Sequence, residues 1–121
     1  MLNNSYECHK VSSYESLSKG QQAELDFYIR GLIQGACLNQ NKFNVPDLVG
    51  NRFTNWHGTP LDYIYLYHKN RPDCQKPTSE AGKDMGRIFK YVMAKDRFRK
   101  YKQTGLIQRA FPVNEYEIVL D

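Results

Sequence analysis

Residues 80–101 carry the pattern that most restricts this chain. Ala81, Met85, Ile88, Phe89 and Val92 recur at helical spacing. At about 100° per residue, Lys83, Arg87, Lys90 and Arg97 fall close to one line on the opposite side. The spacing predicts a long helix from Glu80 to Tyr101 with its apolar stripe inward and its positive charge outward. Thr78 or Ser79 supplies the cap, and Glu80 suits the positive end of the helix dipole. The apolar stripe fades at Asp96, and the last turn is mostly basic, which complements the negative end.

The charge is uneven. The 121 residues have a net charge of +4. Residues 83–109 hold nine basic and two acidic side chains, a net +7, and the remainder holds eight basic and eleven acidic, a net −3. A basic block on a mildly acidic body points to an anionic partner. The plainer alternative is a solvated helix face.

Composition bounds the rest. The chain is 40% hydrophobic and 25% charged, which fits one globular domain, 1–121, and excludes a disordered tail or a collagen-like rod. No apolar run reaches the ~20 residues of a spanning helix, so no membrane role is expected. Residues 1–7 have neither a basic stretch nor an apolar core, which argues against a secretory signal. Cys8, Cys37 and Cys74 cannot all pair within one chain and show no C-x-x-C spacing. They read as reduced thiols in the cytoplasm, with Cys37 on an apolar helix face.

Residues 1–17 are polar apart from Tyr6 and Tyr14 and read as an arm or edge strand. A helix follows from Lys19 to Leu38. Ser18 and Gln21 fit a capping box, and Leu25, Tyr28, Ile29, Leu32, Ile33 and Ala36 make one stripe. Gly31 and Gly35, four apart, suggest close approach of another element. Asn44 fits as the cap of a short turn through Pro46–Val49, stopped at Gly50, with Phe53 and Trp56 anchoring the loop that follows. Thr59-Pro60-Leu61-Asp62 has the marks of a helix start. The alternation of Tyr63, Tyr65 and Tyr67 with Ile64, Leu66 and His68 has strand periodicity. The helix is preferred because its start signal has a mechanism; a strand is the alternative. Leu106–Phe111 and Glu115–Leu120 flank Pro112-Val113-Asn114 as a hairpin within 105–121. The result is an α+β domain: a helical body over 18–101 with three main helices, then a C-terminal β-hairpin. It is compatible with a winged-helix arrangement, although the last helix is long for recognition.

Three functions fit. The first is non-enzymatic binding of DNA or RNA. Lys83, Arg87, Lys90 and Arg97 would contact phosphates, and Arg99, Lys100, Lys102 and Arg109 would extend the track. Tyr91 and Tyr101 lie within or beside this run and could stack on bases, whereas Phe98 could equally cover the end of the core. The second is a protein-binding adaptor or inhibitor docking through Trp56, Tyr63, Tyr65 and Tyr67. Such a factor would suit a phage or other mobile element acting on a host complex that handles nucleic acid. The third is a small RNase using His57, which stands in a loop between Trp56 and Gly58, five residues after Arg52.

Other chemistry is weaker. Thr78–Lys83 could seat a phosphate at a helix start, but Glu80 already puts negative charge there and the P-loop spacing is lacking. His57, His68 and Cys74 are spaced irregularly for zinc. Cys74 has cationic neighbours in Arg71 and Lys76 but no identifiable base. No cofactor is expected.

Overall fold

The computed structural model describes residues 10–38, 41–50, 56–109 and 112–119. Among these are five helices and a three-stranded antiparallel sheet, an α+β domain. No described helix is long and apolar enough to cross a membrane.

Of the expected arm or edge strand over 1–17, residues 1–9 lie outside the described residues, and the described part holds a short helix. α1 spans Ser12–Glu15 and buries Ser13 and Tyr14. α2 spans Lys19–Ala36. The Ser18 side chain accepts from the Gln21 backbone N–H, and the Gln21 side chain accepts in return, so the capping box forms. Leu25, Ile29 and Ile33 are buried along its core face. Among the described residues, a Cβ added to Gly31 or Gly35 would meet nothing within 4 Å, so no described element packs closely on these glycines.

β1, Lys42–Phe43, is a strand that sequence periodicity misses. α3 spans Val45–Val49. Asn44 caps it by accepting from the Asp47 N–H, and Gly50, at φ 85°, leaves it through backbone open to glycine. Phe53 lies outside the described residues.

α4 spans Asp62–Lys69, so the tyrosine segment is helical. Its start differs from expectation. Thr59 does not cap; its hydroxyl donates to the Trp56 carbonyl, and backbone bonds from Asp62, Tyr63 and Ile64 to Thr59, Pro60 and Leu61 wind the chain into the helix.

α5 spans Pro77–Lys95. It begins earlier than expected, with Pro77 in the first turn, and ends six residues before Tyr101. Ala81, Met85, Ile88, Phe89, Val92 and Met93 are buried, against α2, α3 and α4 among others. Each large apolar side chain so buried contributes about 1.5–3 kcal/mol relative to exposure. The helix stops because Asp96 turns extended, at ψ 121°.

β2, Lys100–Ile107, and β3, Val113–Val119, form a hairpin that starts before residue 105 and claims Lys100 and Tyr101 from the expected helix. β1 pairs with β3, giving the order β1-β3-β2. The register slips between Gln103 and Gly105, a bulge with Gly105 at φ 152°. Phe43, Tyr101 and Tyr116 share the core face; Phe43 meets Tyr101 at 6.1 Å and Tyr116 at 5.7 Å between ring centroids. On the other face, Lys102 pairs with Glu117 at 3.2 Å and Lys42 with Glu115 at 4.0 Å.

Candidate nucleic-acid interface

The expected eight-residue basic track is divided among several elements rather than carried by one helix. α5 carries Lys83, Arg87 and Lys90, which span about 10 Å of its length at 1.5 Å per residue. Arg97 lies beyond its end, so it leaves the line predicted by helical spacing. Arg97 and Arg99 belong to the link 96–99, and Lys100 and Lys102 to β2. Arg109 follows β2, and its guanidinium donates to both Asp47 oxygens at 2.9 and 3.2 Å.

Several of these cations meet carboxylates of the protein itself. Lys83 lies 3.3 Å from Glu80, Arg87 3.9 Å from Asp84, Arg99 3.8 Å from Asp96 and Lys102 3.2 Å from Glu117. The α5 pairs join exposed cations to residues three positions earlier in the chain. Exposed pairs of this kind are worth about 0–1 kcal/mol and compete weakly with another anion. The bidentate Arg109–Asp47 pair is firmer. With help from Asn44, Arg109 holds the Asp47 carboxyl below the usual carboxylate range. Among the described ion pairs, Arg97 and Lys100 have no carboxylate partner.

The link between α5 and β2 is organised by one side chain. Asp96 Oδ1 accepts the backbone N–H of Phe98 at 2.8 Å and of Arg99 at 3.0 Å. Its Oδ2 accepts the Tyr101 hydroxyl at 2.7 Å. The Asp96 side chain is only 5% exposed. The turn it builds leaves Phe98 92% exposed between Arg97 and Arg99. Phe98 does not cover the core. Tyr101 is buried, and Tyr91 packs edge-on against Tyr14 at 5.4 Å with Lys95 Nζ 4.1 Å from its ring centroid. Of the aromatics in or beside the basic run, the exposed one is therefore Phe98, and the signal that could have found it is the Asp two residues earlier, a common turn builder.

The residues singled out for a protein partner are only partly available. Trp56 is buried, with its indole N–H donating to the Val49 carbonyl at 2.9 Å. It anchors the loop and presents nothing. Tyr63, Tyr65 and Tyr67 are half-buried. Tyr63 donates to Glu24 of α2 at 3.0 Å, Tyr65 packs on the core, and Tyr67 meets the His68 ring edge-on.

His57 is exposed and its Nδ1 lies 3.4 Å from Asp62. Arg52 is outside the described residues. His68, by contrast, is buried in a polar knot. Its Nε2 lies 2.6 Å from Asp84 Oδ2, which also accepts the Ser13 hydroxyl at 2.7 Å. Arg71 Nη1 lies 3.0 Å from His68 Nδ1. A guanidinium only donates, so Nδ1 accepts and the Nε2–H donates to Asp84.

Cys37 and Cys74 are free thiols, and burial pushes the Cys37 thiol above its ordinary value while Arg99 opposes the shift. Among the described residues, no group of three or more His, Cys, Asp or Glu side chains is placed to hold a metal ion. No family model matches the chain, and neither a curated protein nor a solved structure matches it.

Proposed function

We propose that the protein binds DNA or RNA through backbone phosphates without acting as an enzyme. Lys83, Arg87 and Lys90 on α5 make one part of the contact, and Arg97 and Lys100 flank its far end. The observation that carries this reading is the pair Arg97 and Lys100, which have no carboxylate partner among the described ion pairs. Lys102 and Arg109 move from ligand contacts to structural ones in this proposal, and Arg99 supports the turn. The element order adds weaker support. A helix, a short strand, further helices and a hairpin, with the first strand beside the last, suit a winged-helix arrangement with α5 as the recognition helix. Fold analogy of this kind does not itself imply function. Free thiols fit a reducing compartment, the cytoplasm.

Fluorescence anisotropy with labelled single- and double-stranded DNA and RNA, at 50 and 200 mM salt, tests the proposal. About five phosphate contacts would weaken duplex binding roughly 500-fold across that range. Reversing both charges, Arg97→Glu with Lys100→Glu, should remove most of the affinity. Absence of binding at low salt, or binding indifferent to salt, overturns it.

A second reading, a protein-binding adaptor or inhibitor acting on a nucleic-acid-handling complex, draws on a different surface. Phe27 is 70% exposed on α2 and Leu66 is exposed on α4. The Tyr63–Glu24 bond ties these helices one turn away from both residues. Capture of a protein partner that survives nuclease and is lost in Phe27→Ser would favour it. The His57 RNase reading rests on the exposed His57–Asp62 pair, and RNA cleavage lost in His57→Ala would support it.

A further inference from the structure

Phe98 is the most exposed large apolar side chain among the described residues, at 92%. It is not on a loose loop. Its own N–H is bound by Asp96 Oδ1, the next N–H is bound by the same oxygen, and the other oxygen is held by Tyr101 from the core. The backbone beneath the ring is therefore set before any ligand arrives, which lowers the ordering cost of a contact there. Arg97 precedes it in the chain and Lys100 follows two positions later, and the nearby carboxylate of Asp96 is turned inward.

We propose that Phe98 stacks on an unpaired base, so that the preferred ligand is single-stranded nucleic acid whose flanking phosphates meet Arg97 and Lys100. This rests on the phosphate-binding reading above and adds the ligand class to it. Every base offers a π-face, and one stacked aromatic contributes about tenfold to a hundredfold in affinity. A duplex must first be unstacked to admit the ring, at a cost of similar size. With a single ring at the tip the two cancel on a duplex, whereas a single strand keeps the gain. The flanking cations favour a polyanion over an apolar protein pocket, which would desolvate them unpaired.

The test uses the full chain and oligonucleotides carrying 2-aminopurine, either single-stranded or annealed. Wild type should quench the single-stranded probe on binding. Phe98→Ala should bind that strand about tenfold to a hundredfold more weakly and lose the quench. Phe98→Trp should retain both. Duplex affinity should change less than about threefold in either variant, and the melting temperature should hold, because the ring is in water. If Phe98→Ala binds and quenches like wild type while the Arg97→Glu, Lys100→Glu protein does not bind, stacking is overturned and the phosphate reading survives. If wild type binds neither form at low salt, both fall. Loss of a protein partner in Phe98→Ala, with single-strand affinity unchanged, assigns the tip to a protein and also overturns stacking.

Discussion

Asp84 and His68 are joined at 2.6 Å through the same carboxylate oxygen that receives the Ser13 hydroxyl. One acidic residue of the outwardly basic helix thus ties α1, α4 and α5 together. It also explains why only part of Asp84 is left to face Arg87.

Replacing Asp84 with Ala should strand a buried hydroxyl and a buried imidazole. The expected cost is about 3 kcal/mol, or on the order of 10 °C in melting temperature by circular dichroism. Asp84→Asn keeps an acceptor oxygen and should cost less. Equal losses in the two variants would mean that the hydrogen bonds matter less than the charge.

Burial and the bond to Asp96 raise the Tyr101 hydroxyl well above the ordinary tyrosine value of 10.0, and burial with Asp26 does the same for Tyr14. A raised value in the folded state gives stability that is complete below pH 10 and is lost as pH climbs through the folded values. Stability should therefore fall above pH 10, and Tyr14→Phe should make that fall shallower. Denaturant midpoints at pH 9, 10 and 11 measure it. A slope unchanged in the variant would contradict the assignment.

Asp47 titrates in the opposite sense. Arg109 and Asn44 lower it from the ordinary 3.8, so its contribution is present above that value and is lost as pH falls through the lower folded value. Its carboxylate is more than half exposed, so the effect is small, within about 1 kcal/mol. Asp47→Asn should flatten the acid limb of a melting-temperature profile below pH 4. An acid limb as steep as that of wild type counts against the pair.

Gly105 sits at the bulge with φ 152°, where a Cβ is strained although no described residue comes within 4 Å of it. Gly105→Ala should cost about 1–3 kcal/mol and loosen hydrogen-exchange protection in β2 ahead of α5. Unchanged protection would show that the hairpin relaxes around the methyl group.

Local patterns were readable from the sequence. The Ser18–Gln21 capping box, the Asn44 cap and the buried stripe of α5 each depend on residues within a few positions of one another. What was not readable depends on distant partners. β1 is two residues long and exists because Glu117 and Tyr116 lie beside it. Trp56 looks like a binding residue until the Val49 carbonyl is seen to take its N–H. The end of α5 was misplaced because helical spacing carries a line of cations past Asp96, whereas that side chain bonds the backbone ahead of it and ends the helix. The excess of basic charge was legible as composition, but the pairing of Arg109 with Asp47 was not, since it spans 62 positions.

The bulge in β2 bears on behaviour at high concentration. β2 borders the sheet and pairs with β3 alone, and it carries Lys100 and Lys102. A second copy offering the same border would bring like charges together across a kinked backbone. Copies held close together are therefore kept from fusing their sheets into fibrils.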